Sequence, residues 1–224
     1  MGEKRLKQKK EKETKIDAGI KSAIKNNVPL MLAFAILAIL FVVLYYLFQS
    51  FGKIEYQDMT FTRERLGEIL VYRYSYFTQN SQGKFIENTL YVRNDPRTNN
   101  VPISGKIEYP FGRQVFISIN STGLNLCEDS GIALATLTLF LGSNEIKPRV
   151  GTPDKEEALA RNQSHITCDK YVDNMVISIR ESQGNETKIY REGNYCYRID
   201  VASCEIQKAV EKFVVHSIID ARGF

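Results

Sequence analysis

The chain has 224 residues, of which 30 are Lys or Arg and 26 are Asp or Glu, so its formal net charge is +4. The positive excess is confined to the first 28 residues, which hold nine basic and four acidic side chains. The 21 basic residues beyond Pro29 are balanced by 22 acidic ones. This distribution excludes an extended nucleic-acid-binding surface, because such a surface needs a basic patch on the folded domain.

Twenty consecutive uncharged residues, from Pro29 to Phe48, follow the basic segment. As a helix they would span about 30 Å, the thickness of the hydrocarbon core of a bilayer. A cleavable signal peptide is disfavoured. Signal peptides have a shorter apolar region followed by small residues at the cleavage site, whereas this chain has bulky side chains between Tyr45 and Phe51. Because basic residues are retained in the cytoplasm, the pattern predicts a single-pass signal anchor with the N-terminus inside the cell.

The predicted organisation has three parts. Residues 1–28 form a basic cytoplasmic tail, residues 29–51 form the transmembrane anchor, and residues 52–224 form an extracytoplasmic domain of ordinary size. The tail is interpreted either as an orientation signal alone or as a segment that also contacts anionic lipid headgroups. The expected partners are the bilayer and other membrane or surface proteins, and nucleic acid is not among them.

All four cysteines lie beyond the predicted anchor: Cys127, Cys168, Cys196 and Cys204. An even number of cysteines outside the cytoplasm predicts two disulfides, and the sequence leaves all three connectivities open. Because no Cys-x-x-Cys pair is present, neither a metal site nor a redox-active pair is expected. Three Asn-x-Ser/Thr sequons are candidates for glycosylation: Asn120, Asn162 and Asn185.

The first half of the outer domain is strand-like. A strand rich in β-branched and aromatic residues is predicted over Ile69–Phe77, and a turn near Asn80 leads to a return strand over Phe85–Val92. A second strand pair is predicted over Ile103–Tyr109 and Gln114–Ile119.

Helical signals dominate the middle of the domain. Acidic residues at Cys127–Ser130 precede a nearly all-apolar helix over Ile132–Leu141, which we expect to be buried. A short strand is predicted near Ile146–Val150. A second helix is predicted to open with Thr152 as its cap and Pro153 in its first turn.

The last third combines strands with one amphipathic helix. A hairpin is predicted between Met175–Arg180 and Thr187–Arg191, and a further strand over Tyr195–Val201. The final helix is predicted over Glu205–Ala221, with Asp200 or Ser203 as its cap. Its apolar face combines five positions at helical spacing: Ile206, Val210, Phe213, Val214 and Ile218.

This order of elements predicts one anchor helix followed by an α/β (mixed α+β) domain, with helices packed on a mostly antiparallel or mixed sheet. The segment from Val115 through the apolar helix to the following strand is expected to form one right-handed crossover.

Catalytic residues are not identified by any motif. Ser130 and Asp129 lack the nucleophile-elbow pattern, and no phosphate-binding glycine loop is present. There are two histidines, His165 and His216, and His216 falls on the predicted final helix, where a core-edge or surface role is expected. We therefore predict no catalytic residue and no cofactor.

One strand suggests a binding surface. Tyr72, Tyr74 and Tyr76 alternate, so their rings share one face of the strand. The row is interpreted either as a face that stacks on a partner or as ordinary packing against cross-strand neighbours such as Phe85 and Tyr91.

Three features together resemble a group of single-span membrane proteins of small-genome archaea. They are the turn at Leu90–Arg97, the single cysteine before the apolar helix, and the closing run Tyr195–Ile206. The resemblance implies a cell-surface setting in which oxidised cysteines and N-glycans are both expected. It implies no activity and no site residue, because the group has no assigned activity.

The sequence thus predicts a membrane-anchored, non-catalytic module that acts as an accessory, scaffold or recognition subunit at the cell surface. Two alternatives stay open. One is an envelope enzyme acting on surface polymers or peptides, which needs acidic or histidine side chains converging in a cleft, for example near Asp129 or His165. The other is an accessory subunit of a transport or secretion complex.

Overall fold

A computed structural model describes residues 31–46, 52–80, 82–110 and 112–223, in two compact units, Met1–Gly52 and Lys53–Phe224. In the first unit, residues 31–46 are helical (α1), and every side chain in this helix is exposed. Among the described residues, no helix is both long and apolar enough to cross a membrane. The predicted tail and both ends of the predicted anchor lie outside the described residues.

The second unit contains a four-stranded antiparallel meander, which we name sheet A. Its strands are β1 (Lys53–Tyr56), β2 (Met59–Leu66), β3 (Ile69–Gln79) and β4 (Phe85–Val92), in that spatial order. The prediction for β3 and β4 is confirmed. Strands β1 and β2 were not predicted, because Gln57 and Asp58 turn the chain with positive φ angles and without the usual glycine signal.

A second, mixed sheet of seven strands, sheet B, has the order β5-β10-β11-β9-β6-β7-β8. The strands are β5 (Ile103–Ser104), β6 (Val115–Ile119), β7 (Arg149–Thr152), β8 (Ser164–His165), β9 (Met175–Glu181), β10 (Lys188–Arg191) and β11 (Cys196–Val201). Every neighbouring pair is parallel except β10 with β11. Antiparallel and mixed sheets with helices confirm a mixed α+β domain, built on two sheets rather than one.

Two predicted strand pairings in sheet B are wrong. The strands near Ile103 and Val115 do not pair, because β5 lies at the far edge beside β10. The predicted β9–β10 hairpin is also absent, since β11 lies between them and pairs with β9 in parallel. The run Met175–Ile179 is buried throughout, which is typical of a central strand covered on both faces rather than of a surface hairpin.

The helices of this unit are α2 (Ser130–Ser143), α3 (Lys155–Ala160) and α4 (Ile206–Ala221), and a 3₁₀ turn over Leu124–Leu126 precedes α2. The path β6–α2–β7 joins two parallel neighbours, which confirms that this segment crosses over between parallel strands. Helix α4 has its predicted extent, and its five predicted apolar positions are all buried. Contacts of α4 with β10 and β11, and of α2 with β4, place these two helices between the sheets.

Three expectations for helix ends and faces are wrong. Helix α2 is not buried all round, since Leu139 is 72 % exposed. The cap of α3 is Asp154, whose carboxylate accepts a hydrogen bond from the Glu157 amide, because Thr152 still belongs to β7. Neither predicted residue caps α4: its N-cap is Glu205, without a side-chain hydrogen bond, and Asp200 instead accepts a hydrogen bond from Arg180 Nε at 2.7 Å.

The two predicted disulfides are confirmed, and the structure selects one connectivity. Cys127–Cys204 links the segments that precede α2 and α4. Cys168–Cys196 ties the loop after β8 to the first residue of β11. Both bonds therefore lie within the second unit, and no cysteine is free.

Candidate functional site

A cavity of about 460 Å³ lies between β3 and the C-terminal ends of α2 and α4. One wall is formed by five consecutive strand residues, Tyr74–Thr78. The end of α2 and the segment after it contribute Phe140, Asn144 and Ile146. The remaining lining residues come from the loop before β6 and from the end of α4: Tyr109, Ser217, Ile218, Ala221 and Arg222.

Aromatic rings give this cavity its apolar character. Tyr74 and Tyr76 stack with ring centroids 6.1 Å apart, and Tyr76 lies 6.5 Å from Phe140. Behind them Phe61 contacts Tyr74 at 5.2 Å. Aromatic pairs at these separations form a rigid wall, because each ring has only two side-chain torsions and is held by its neighbours. Such a preformed apolar wall is typical of binding sites for small molecules or side chains.

Hydrogen bonds fix a few polar groups in the same wall. Asn144 Nδ2 donates to Tyr76 Oη at 2.8 Å and to the Phe140 carbonyl at 2.7 Å. Ser217 Oγ donates to the Phe213 carbonyl at 2.9 Å, so the hydroxyl of Tyr109, 3.1 Å away, is the donor to Ser217. Burial raises the pKa of Tyr109 far above its ordinary value, which keeps this phenol neutral.

One cation lies at the mouth of the cavity. The guanidinium of Arg222 is 5.2 Å from the ring centroid of Tyr74, within range of a cation–π interaction. Arg222 also donates a long, 3.4 Å hydrogen bond to the Asp58 carbonyl in the β1–β2 turn. Among the described residues that line the cavity it is the only Lys, Arg, His, Asp or Glu. The cavity is therefore suited to bind an apolar group with a negative end.

Acid–base chemistry has no support in this cavity, since no carboxylate or imidazole lines it within the described part of the chain. Ser130, Asp129 and His165, which the sequence offers as a nucleophile, an acid and a base, each have another partner. Ser130 Oγ donates to the Leu124 carbonyl, Asp129 pairs with Arg93 at 3.1 Å, and His165 Nε2 lies 3.0 Å from the Pro153 carbonyl.

The tyrosine row has the predicted alternation, and its role as a binding face stays a prediction. Tyr72, Tyr74 and Tyr76 share one face of β3 and are only 6–8 % exposed, because this face turns toward the helices. The alternative, ordinary packing in the core, is confirmed by this burial, but the neighbours named for it are wrong. Phe85 and Tyr91 are exposed, and the cross-strand partners of the row are Val92, Leu90 and Asn88. Two members of the row, Tyr74 and Tyr76, nevertheless line the cavity.

The three sequons lie in different settings. Asn162 and Asn185 are exposed, whereas Asn120 is half-buried and its Oδ1 accepts a hydrogen bond from the Thr122 amide. In the third sequon Thr187 is buried, and its hydroxyl is bonded to both the amide and the carbonyl of Ala202. Their use as glycosylation sites stays a prediction.

One cluster of potential metal ligands occurs in the described residues, formed by Cys168, Glu192 and Cys196. Both sulfurs belong to a disulfide bond, so neither offers a thiolate. The cluster is therefore not a metal site in the oxidised protein.

The other histidine, His216, gives a pH-dependent prediction. Burial, together with the nearby charge of Lys212, lowers the pKa of His216, and Asp220 opposes this in part. The folded pKa is thus below the unfolded value of about 6.5, so stability is complete above that pH and falls as the pH drops through it. We expect His216→Gln to reduce the loss of stability between pH 7.5 and pH 5, measured by urea unfolding. His165→Gln is the matched control and should retain the acid sensitivity.

The sequence did not reveal Tyr109, Asn144, Ser217 or Arg222 as site residues. They lie in three segments of the chain, with Ser217 and Arg222 together at the end of α4, and no shared motif links these segments. Only the tyrosine alternation pointed to this region. Comparisons with protein-family models, curated proteins and solved structures gave no significant match, so the resemblance to archaeal membrane proteins stays a prediction.

Proposed function

We propose that this chain is a membrane-anchored, extracytoplasmic recognition module, without catalysis of its own, that binds an apolar group with a negative end. The observation that carries this proposal is the aromatic cavity beside β3. Its walls are rigid rings, and its polar groups are hydroxyls, an amide and one guanidinium rather than acids or bases. This chemistry favours binding over bond cleavage.

Membrane anchoring is supported by the uncharged run from Pro29 to Phe48 and by the basic residues before it. All sixteen described residues of α1 are exposed, and large apolar side chains such as Phe41 are 74 % exposed. Lipid is the environment in which such a helix is stable. We expect added protease to digest residues 53–224 on intact cells, and protection of that part would contradict the proposal.

An oxidising location outside the cell is supported by the two disulfides, which persist where glutathione does not keep thiols reduced. The exposed sequons at Asn162 and Asn185 are compatible with glycans on the same side of the membrane. The basic tail is proposed to rest on anionic lipid headgroups, and the partners are proposed to be other membrane or surface proteins.

Ligand binding is tested with 4-phenylbutyrate, a soluble probe that joins an aromatic ring to a carboxylate. We expect the full chain in neutral-lipid nanodiscs to bind it saturably, with a dissociation constant of about 1 mM or tighter, as for a small fragment. Ala221→Phe fills the cavity and should abolish saturable binding in NMR titrations. Ala160→Phe, at the exposed end of α3, is the matched control. Unchanged binding by the Ala221 variant would overturn the proposal.

A further inference from the structure

Strand β3 extends beyond the region in which β2 pairs with it. Strand β2 pairs with it only from Ile69 to Arg73, where Thr62 is the last partner. On the opposite edge β4 continues the pairing as far as Gln79. Among the residues described, no strand pairs with the β2-side edge of residues 74–79, and no turn, loop or side-chain hydrogen bond reaches the backbone of residues 74–78.

This free edge faces the cavity. Successive side chains of a strand point to opposite faces, so five consecutive residues line one cavity only if the cavity lies along the strand's edge. Tyr74–Thr78 meet this condition. In any strand, alternate residues direct their N–H and C=O groups toward a given edge. The cavity therefore offers a short row of backbone donors and acceptors beside its aromatic wall.

A hydrogen-bonding edge next to an apolar cavity matches one kind of occupant, an extended peptide. Backbone groups of the peptide would continue the ladder, while alternate side chains would enter the cavity that Tyr76 and Phe140 line. The charge at the mouth specifies the peptide further. Arg222 is the only charged side chain among the described lining residues, so a carboxylate on the peptide complements it.

We propose that the module recognises an extended peptide segment of a partner, with apolar side chains at alternate positions and a carboxylate at one end, by adding it as a strand to the free edge of β3. The inference rests on the proposed function, because it assigns a ligand class to the same cavity.

The probe is the acetylated hexapeptide TVTVTV with a free C-terminal carboxylate, titrated into the full chain in neutral-lipid nanodiscs. Two further versions carry N-methyl groups on alternate backbone nitrogens, in the two complementary patterns. Strand addition uses only the N–H groups on one edge of the peptide. We therefore expect one methylated version to lose at least tenfold in affinity and the other to bind as the parent does. Equal binding, or equal loss, by both versions would overturn strand addition.

Two measurements on the protein accompany the titration. Backbone amides at alternate positions within Tyr74–Thr78 should exchange at least tenfold more slowly with the peptide bound, and unchanged exchange would contradict the proposal. Arg222→Gln should weaken binding of the peptide with a free carboxylate about threefold to fivefold. Binding of the same peptide with a C-terminal amide should be unaffected. Arg161→Gln, a change at an exposed arginine after α3, is the matched control.

The two proposals fail separately. If 4-phenylbutyrate binds and the peptide does not, strand addition is wrong and the cavity is still a binding site. If neither binds, the proposed function fails as well. If the cavity-filling Ala221→Phe variant loses both ligands while Ala160→Phe retains both, one site serves both, as inferred.

Discussion

Replacing Cys127 and Cys204 together by alanine is expected to lower the free energy of unfolding by about 4.5 kcal/mol, since this bond closes a loop across 77 positions. The bond also ties the starts of α2 and α4, the two helices between the sheets. The loop that it closes contains strands β7 to β11, so without the bond this part of the unfolded chain gains conformational entropy. The measurement is guanidinium unfolding of the full chain in detergent under non-reducing conditions, followed by near-ultraviolet circular dichroism.

The second disulfide provides a matched control within the same chain. Cys168–Cys196 closes a loop across only 28 positions, so its double alanine variant should lose about 3.6 kcal/mol, roughly 1 kcal/mol less than the first. Each variant should retain the remaining bond in peptide maps of the non-reduced protein. A larger loss from the shorter loop would contradict loop closure as the cause, and four free thiols in the natural chain would contradict both bonds.

Local features of the fold were predictable where a single segment carries its own signal. The β3–β4 hairpin has β-branched and aromatic strands on either side of a polar turn, and the final helix has apolar residues at helical spacing. Pairing in sheet B was not predictable in this way. Whether β9 is followed in space by β10 or β11 depends on contacts between distant segments, and both strands have similar composition.

The tyrosine row shows what a periodic pattern can predict and what it cannot. Alternation fixes that Tyr72, Tyr74 and Tyr76 share a face, but tyrosine is stable both in a core and at a surface. Arg73 and Ser75, which alternate with the tyrosines, were the available signal. Polar residues on one face of a strand indicate that this face is turned to solvent, so the tyrosine face is the buried one. The cavity as a whole had no such signal, since its polar groups come from separate segments and meet only when both sheets pack on α2 and α4.

The sequence also did not predict that α4 is buried outside its apolar stripe. The five predicted positions describe one apolar face, yet Glu211, Val215 and Ile219 are also buried, with 2 %, 3 % and 8 % of their surfaces exposed. These three residues lie outside the predicted stripe, and they are buried because α4 is covered on two sides. A sequence pattern that assigns polar residues to solvent cannot anticipate a helix enclosed between two sheets.

Glu211 is the residue on this second side whose replacement should have the next largest effect. Its carboxylate accepts hydrogen bonds from the amides of Arg93 and Asn94 at 2.6 and 2.9 Å, from Asn94 Nδ2 at 2.7 Å and from Gln207 Nε2 at 2.6 Å. These bonds join the end of β4 in sheet A to the middle of α4. Each donor satisfied by a buried carboxylate is left without a full partner when the charge is removed.

We expect Glu211→Gln to lower the free energy of unfolding by about 3 kcal/mol, because the new amide has one acceptor oxygen for four donors and adds two donors of its own. Guanidinium unfolding measures the loss, as a lower midpoint with an unchanged dependence of the free energy of unfolding on denaturant concentration. Glu205→Gln, at the N-cap of the same helix, is the matched control: its ion pair with Lys208 is partly exposed and should contribute roughly 0.5 kcal/mol or less. Equal losses from the two variants would contradict the role of Glu211 as the buried link between sheet A and α4, since both remove one carboxylate charge from the same helix.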